Sequence, residues 1–409
     1  MKNLSSLLFC SFFLIVSASA KDIVITYIDH PDRFKINNKI HAIFEKENPG
    51  IKLKHIPRPS GGADAYHDKL VTMLSAKDSS IDVFTVDVIW PPELAAAGWL
   101  SPLDDVFPKS EQDKYVPAMI DAMTVGGKVY GVPYLTDFGA LWYRKDIVKE
   151  NELPKTWDDL VRVAKKYQTK DMYGFVETYR ADQQLMCNYF EFLFSNGGQF
   201  LSDDGTEIEF DSQESKEAIQ FMKDLRDKHK IVQPSMNMPL DEVRQIFTQG
   251  KAVFHRNWLY VWAMAEHHDA SKVKGKVGVM MLPTFKEGAN THTLGGWNFT
   301  VNSFSKHQEA AKKAALFLGG PVAQKIRAID GDRVPPHLPT MQDKDVLAKN
   351  PIYVKLHSFA KYIASRPKSP FYTQMSDVFQ KELQEAILGR KSIDEAIEIS
   401  KEEIEELLE

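Results

Sequence analysis

Two aromatic stretches contain the residue types that could hold a small polar molecule. One contains Gly295, Gly296 and Trp297, and the other reaches Trp258 after a β-rich segment. Glycine leaves its amide N–H and C=O unshielded by a Cβ, and an indole ring offers a broad apolar face. Backbone donors beside such a face suit a flat ligand rich in hydroxyl groups, so we expect the two stretches to meet across a cleft. Both tryptophans could instead be ordinary core residues, because aromatic side chains contribute much of any core.

Two aspartates among aromatic residues are the second candidates for chemistry. Asp87 and Asp137 each follow a predicted strand, and two carboxylates at a suitable separation could act as the acid and base of a glycoside hydrolase. A carboxylate that accepts hydrogen bonds from sugar hydroxyls is equally what a simple binding site uses, and each aspartate could also cap a helix or a turn. The sequence contains no phosphate-binding loop, dinucleotide-binding glycine motif, zinc-ligand spacing or nucleophile elbow. We therefore expect no metal and no cofactor, while hydrolysis and binding both stay open.

The alternation of strands and helices predicts how these residues are positioned. Residues 23–28, 51–56 and 81–86 read as buried strands, and segments with helical spacing of apolar residues separate them. This order favours a mostly parallel sheet covered by helices, in which ligands bind beyond the carboxyl ends of the strands. The residues that occupy this position are Asp29, Asp32, Asp87 and Trp90.

The beginning of the chain and its composition indicate an exported protein. Residues 1–20 have the features of a secretory signal peptide, with Lys2 before a short apolar run and small residues up to a cleavage site near Ala20. The chain has 51 basic and 56 acidic side chains and a formal charge of −5, which argues against nucleic acid as a partner. Cleavage would leave Cys187 as the only cysteine, so we expect no internal disulfide. A length of 409 residues predicts about two domains.

Seven segments, in order along the chain, carry a resemblance to a known family. They are residues 86–95, 131–134, 137–144, 194–198, 254–258, 294–297 and 366–372. With these segments the chain resembles the periplasmic solute-binding proteins of ABC sugar importers, in the group that includes trehalose- and maltose-binding proteins. The resemblance implies the type II fold of two α/β lobes, each a mostly parallel sheet flanked by helices, joined by a hinge of several crossings. It implies an N-terminal lobe of residues 21–133 plus about 300–350, and a C-terminal lobe of residues 134–299 plus about 351–409.

The resemblance also implies a set of ligand-binding residues. They are Asp32, Tyr66, Asp87, Tyr134, Asp137, Trp258, Gly295, Trp297 and Arg333. In the family pattern the two tryptophans stack on the sugar, and Gly295 offers its backbone. Asp87 and Arg333 resemble the residues that bind sugar hydroxyls, Tyr134 and Asp137 resemble hinge-side contacts, and Asp32 and Tyr66 match more loosely.

The implied function is that of a non-enzymatic, monomeric receptor in the periplasm. It would deliver a sugar, such as the disaccharides trehalose or maltose, to a membrane-embedded ABC permease. Relatives carry Tyr-Glu-Gly-Leu where this chain has residues 182–185, Asp-Gln-Gln-Leu, so this rim could recognise a different sugar. Two alternatives are an exported glycoside hydrolase and a receptor of the same fold for an anion such as glycerol phosphate. The anion would need basic residues at the strand ends, where the sequence shows mainly aspartates and aromatic residues.

Overall fold

The computed structural model describes residues 22–202, 205–286, 292–331 and 333–408. The predicted signal peptide, residues 1–20, lies outside the described residues. The strands are β1 (Ile23–Asp29), β2 (Ile51–Pro57), β3 (Val83–Asp87), β4 (Thr124–Val125), β5 (Lys128–Val129), β6 (Gly131–Phe138), β7 (Ala140–Arg144), β8 (Tyr173–Val176), β9 (Ala252–Asn257), β10 (Val277–Met280), β11 (His292–Val301) and β12 (Ile363–Ala364).

Helices cover both sheets, and most of them bury one apolar face. They are α1 (Asn37–Glu47), α2 (Gly62–Ser75), α3 (Pro91–Ala96), α4 (Lys109–Gln112), α5 (Pro117–Ala122), α6 (Trp157–Tyr167), α7 (Gln183–Asn196), α8 (Gln213–Asp227), α9 (Leu240–Thr248), α10 (Val261–Glu266), α11 (Gln308–Leu318), α12 (Pro321–Asp330), α13 (Leu338–Met341), α14 (Lys344–Lys349), α15 (Tyr353–Phe359), α16 (Tyr372–Ile387) and α17 (Ile393–Leu408). Local chemistry sets several ends: Thr156 and Asp159 form a capping box at the start of α6, and Gly197 ends α7 in the left-handed region, with φ of 93°.

The first sheet places the carboxyl ends of three parallel strands at one edge. β1 pairs in parallel with β2 and with β3, as the alternation of strands and helices predicts. β11 pairs antiparallel with β3, so that Trp297 lies opposite Asp87, and β6 lies along its other side, so that Gly295 lies opposite Asp137. The glycine–tryptophan stretch therefore runs between the two aspartates that the sequence singles out.

The second sheet has the order β10–β7–β9–β8, and the expectation of a mostly parallel sheet is wrong for it. β8 and β9 are parallel, but β7 lies antiparallel between β9 and β10. The reason is the route of the chain. β7 enters directly from the first sheet and runs away from the junction, whereas β8, β9 and β10 run towards it. β11 is antiparallel to β3 and β6 for the same reason, because it returns from the second sheet.

The junction between the two sheets contains a buried ion pair. β6 ends at Phe138 and β7 begins at Ala140, so the chain crosses at Gly139. A Cβ at Gly139 would overlap Glu191 Oε1 and Arg256 Nη2, so glycine is needed there. Arg256 Nε donates to Glu191 Oε2 at 2.6 Å, and Thr293, at the start of β11, donates its N–H to Glu191 Oε1 at 3.3 Å. Two crossings between the lobes are thus packed against one ion pair.

Candidate functional site

Trp297 lies at the centre of an aromatic cluster at the carboxyl edge of the first sheet. Its ring meets His30 and Trp90 edge-to-face, with centroid separations of 4.9 Å and 5.3 Å. Tyr66 lies 6.0 Å away, and the Arg58 guanidinium carbon lies 4.4 Å from the centre of the indole. Trp297 is only 9% exposed. Its ring is therefore largely covered by protein atoms, and Arg58 occupies a position over it.

Trp258 lies on the other side of the junction and packs against bare backbone. A Cβ at Gly295 would lie 2.6 Å from the Cζ3 atom of Trp258, so the ring can approach only because this residue is glycine. Trp258 Nε1 donates a hydrogen bond to Gln184 Oε1 at the start of α7. The Arg256 guanidinium lies 4.6 Å from the ring centre, and Trp258 is half-buried. The two aromatic stretches therefore meet at Gly295, and Trp258 keeps part of its surface free.

Asp87 is held by an arginine from a distant part of the chain. Arg366 Nη2 donates to Asp87 Oδ1 at 2.5 Å, and both side chains are buried. The same oxygen lies 3.4 Å from the amide nitrogen of Ile89. The ion pair fixes the carboxylate at the end of β3, beside Trp297 on β11.

Asp137 links the two lobes directly. It stands on β6 in the first sheet, and its Oδ1 accepts the N–H of Leu259, just beyond β9 of the second sheet, at 2.6 Å. It also accepts the N–H of Phe138 at 3.1 Å. Burial raises the pKa of Asp137 to about 7. Near neutral pH this carboxyl group can therefore exist in either protonation state, as an acceptor or as a donor.

Tyr134 and Asp32 are both engaged with the protein. The Tyr134 hydroxyl donates to Asp29 Oδ1 at 2.5 Å and lies 2.6 Å from His30 Nδ1. The two carboxylate oxygens of Asp32 accept the N–H groups of Ile36 and Asn37, at 2.9 Å and 3.0 Å. Asp32 therefore holds the beginning of α1, and Tyr134 orients the groups at the end of β1.

A group of arginines lies where the sequence analysis expected acidic and aromatic residues. Arg58 follows β2 directly, and its N–H donates to the carbonyl of Asp29 at 2.8 Å. Arg327 and Arg333 line a pocket at the end of β1 together with Asp29 and Asp32. Arg58 and His30 were not predicted as site residues from the sequence, and neither was the pairing of Arg366 with Asp87. Gln184 belongs to the rim segment 182–185 that the sequence singled out. Arg58 could have been found, because it occupies the same strand-end position as Asp29.

Over the described ranges, no group of three or more histidine, cysteine, aspartate or glutamate side chains is arranged to hold a metal ion. None of the helices in those ranges has the length and apolar character needed to cross a bilayer.

Comparison with known proteins identifies the family. Residues 31–325 match the model of the bacterial extracellular solute-binding protein family. A probable ABC transporter-binding protein of Deinococcus radiodurans is 31% identical over 360 residues, which cover 85% of this chain and 84% of the relative. The chain belongs to this family. It is therefore a solute-binding component of a transport system and not an enzyme, and family membership places it outside the cytoplasm.

Two further similarities, one to a solved structure and one to a curated protein, concern the fold and the kind of protein that this chain resembles. The structure of maltose-bound MalE3 from T. maritima superposes with a TM-score of 0.87 at 34% identity, covering 94% of this chain and all of that one. A galactooligosaccharide-binding protein of Bacillus subtilis is 25% identical over 89% of this chain and 85% of its own length. The fold is accordingly the two-lobed type II periplasmic-binding-protein fold, as the resemblance implied.

Proposed function

We propose that this protein is the periplasmic receptor of an ABC importer that takes up a sugar, and that the ligand is a disaccharide such as maltose or trehalose. The observation that carries the proposal is the half-buried ring of Trp258 against the bare backbone of Gly295, next to the interlobe bond of Asp137. An aromatic face, backbone groups and a carboxyl group then converge where the two lobes meet. The similarity to maltose-bound MalE3 and to a galactooligosaccharide-binding protein supports a saccharide ligand.

The chemistry of these groups matches the two kinds of surface on a sugar. Sugar rings have apolar C–H faces and polar edges, and an indole covers a face while charged and backbone groups bind the edges. We assign the face contact to Trp258 and the edge contacts to Asp137, Arg333 and the Asp87–Arg366 pair. Asp32 is assigned to the beginning of α1, whose first N–H groups it accepts. Tyr66 and Tyr134 are assigned a supporting role in the aromatic cluster around Trp297 and His30. Gly295 is assigned to the backbone surface of the site, against which Trp258 packs.

Closure of the lobes would connect binding with delivery. We propose that the first sheet moves as one lobe with residues 22–138 and about 292–364, and the second sheet as the other lobe with residues 140–286 and about 365–408, around Gly139. These bounds differ from those that the resemblance implies, because β6, β11 and β12 pair within the first sheet. A ligand favours the closed form only through the extra contacts that it makes there. The closed, monomeric complex would then present its sugar to a membrane-embedded permease, after a signal peptide of residues 1–20 has directed export.

Calorimetry on refolded protein tests the proposal. Unfolding and refolding removes any sugar carried over from the cells, after which maltose, trehalose and a galactooligosaccharide are titrated separately. We expect at least one of them to bind with saturation at one site per chain. Absence of heat and of a melting-temperature shift with all three would contradict a saccharide receptor of this class.

A receptor for an anion such as glycerol phosphate is the second candidate, and the arginine group is the observation that favours it. Arg58, Arg327 and Arg333 lie close to the end of β1, and guanidinium groups bind phosphate well. A neutral sugar should bind with nearly the same affinity at low and high salt, because no charge pair is screened. A steep loss of affinity with added salt, together with binding of glycerol phosphate, would favour the anion.

A further inference from the structure

The guanidinium of Arg58 has a buried N–H donor that finds no acceptor among the described residues. Its Nη1 atom is buried and makes no hydrogen bond to any described residue. Burial, together with the nearby charge of Arg333, lowers the pKa of Arg58. Arg256, Arg327 and Arg366 also have a buried nitrogen without a hydrogen-bond partner, but each of them pairs with a carboxylate. Within the described ranges no carboxylate forms an ion pair with Arg58, so a group that binds there would supply the missing acceptor.

The place of Arg58 in the fold sets its guanidinium beside Trp297, at the carboxyl edge of the first sheet. The residue stands immediately beyond β2, and its backbone extends the pairing of β2 with β1. Its guanidinium lies 4.4 Å from the ring centre of Trp297 and 6.0 Å from that of Tyr66. Stacking on an aromatic face restricts the orientation of a guanidinium and leaves its N–H groups directed outward in its plane. Trp297 thus orients Arg58.

We propose that Arg58 is a ligand-binding residue, which donates a hydrogen bond from Nη1 to an oxygen of the bound sugar. This inference rests on the proposed function as a saccharide receptor. It changes the role of Trp297, which holds Arg58 in place while Trp258 provides the aromatic face for the sugar. Because a guanidinium has only donors, the ligand must present an acceptor here, namely a hydroxyl, ring or glycosidic oxygen. Asp137 and Asp87 can accept hydrogen bonds from the hydroxyl hydrogens of the same ligand.

Two substitutions at Arg58 separate its donors from its packing. Arg58→Met keeps an apolar side chain over Trp297 but has no donors, and Arg58→Lys keeps the charge but loses the planar fork. Lys39→Met is the matched control, since Lys39 is also a cation of the first lobe but is exposed and pairs with Asp330 of the same lobe at 2.6 Å. Each variant is titrated with whichever of maltose, trehalose and the galactooligosaccharide binds the wild-type protein most tightly.

We expect Arg58→Met to weaken binding roughly 10- to 100-fold, the range of a hydrogen bond to a charged group, and Arg58→Lys to weaken it less. Lys39→Met should stay near the wild-type affinity, and urea midpoints without sugar should change little in all three. Wild-type affinity in both Arg58 variants, or an equal loss in Lys39→Met, would overturn the inference while leaving the saccharide receptor intact. If Arg58→Met does not fold, Arg58→Lys alone decides. If the wild-type protein binds none of the three sugars, the proposed function fails and this inference fails with it.

Deoxy analogues of the bound sugar give a readout that a purely structural role would not affect. Removing the oxygen that Arg58 contacts should weaken binding to the wild-type protein but make little further difference to Arg58→Met, because the contact is already lost. If every analogue loses the same factor in both proteins, Arg58 does not touch the sugar.

Discussion

Two tryptophan–arginine pairs lie on the two sides of the cleft, and they differ in what balances the guanidinium. In the second lobe, Arg256 stacks on Trp258 at 4.6 Å and is also bound to Glu191 in an ion pair whose side chains are each 1% exposed. In the first lobe, Arg58 stacks on Trp297 at 4.4 Å, and no carboxylate among the described residues forms an ion pair with it. The same contact between side chains therefore serves two different purposes.

The difference separates a structural pair from a binding pair. The carboxylate of Glu191 neutralises Arg256 and accepts from its Nε and Nη2 atoms. The ion pair packs against Gly139 and accepts the N–H of Thr293 at 3.3 Å. That arrangement fixes the crossings between the lobes. Among the described residues Arg58 has no such carboxylate partner, so its donors remain for a ligand. The first pair should therefore govern the stability of the protein, and the second should govern affinity.

The largest effect should come from Glu191→Ala. Removing the carboxylate leaves Arg256 charged and buried, which costs about 3–5 kcal/mol when one partner of a buried pair is lost. Urea unfolding measures this as a fall in the free energy of unfolding. The double variant Glu191→Gln with Arg256→Met is the control, and it should recover much of the loss because no unpaired charge remains. A single variant close to wild type would show that the pair does not hold the junction.

The two tryptophans should show the same contrast, with Trp297 governing stability and Trp258 governing sugar binding. Trp297 is 9% exposed within a cluster, so Trp297→Ala should lower stability by about 3–5 kcal/mol, as for a core tryptophan. Trp258→Ala should lower stability less, because Trp258 is half-buried, yet it should remove most of the sugar-induced rise in melting temperature. Melting curves with and without maltose measure both effects. The comparison is wrong if Trp297→Ala melts like wild type without sugar.

Asp137 lies between the two pairs and should affect binding more than folding. Asp137→Ala should weaken sugar binding by roughly 1.5–3 kcal/mol, the range of a hydrogen bond to a charged group, as measured by calorimetry. Asp32→Ala is the matched control, since it removes a carboxylate from the same edge of the sheet but one that caps α1. That control should lose about 1 kcal/mol of stability with unchanged affinity. Equal affinity in the two variants would remove Asp137 from the site.

The most gradual predicted effect is a dependence of stability on pH, because it is spread over about three pH units. Burial raises the pKa of Asp137 to about 7, above its value of about 3.9 in an unfolded chain. The folded protein then binds the extra proton between about pH 4 and pH 7, so the free energy of unfolding falls as pH rises through that window and is level above it. Asp137→Asn should remove this contribution, at most about 1.4 kcal/mol per pH unit.

Urea unfolding at a series of pH values measures the slope for Asp137→Asn against wild type. Glu177 in the second lobe offers a comparison, because burial raises its pKa to about 8. Glu177→Gln should therefore change the slope of the free energy of unfolding against pH. The change should extend to a higher pH than the change in Asp137→Asn does. An unchanged slope in Asp137→Asn would mean that its carboxyl group is not shifted.

The sequence alone predicted the local structure and the strand-end positions. Runs of β-branched residues identified β1, β2 and β3, and the rule that ligands bind beyond strand ends selected Asp87 at the end of β3. These predictions succeed because strand propensity and the direction of parallel strands depend on neighbours close in sequence. The meeting of the two aromatic stretches was likewise expected from their residue types, and the structure brings Gly295 of one and Trp258 of the other together.

Only the tertiary structure decided which arginine is neutralised and which is not. Arg366 and Asp87 are 279 positions apart, and Arg256 and Glu191 are 65 apart, so no spacing in the sequence relates them. The orientation of β7 was also beyond the sequence pattern, because it depends on the chain entering the second sheet from the first. Charge pairing acts between groups that are close in space, while the sequence records only the order of residues along the chain. For that reason the sequence supplied the residues of the cleft, and the fold paired Arg256 with Glu191 at the junction and left Arg58 without a carboxylate partner among the described residues.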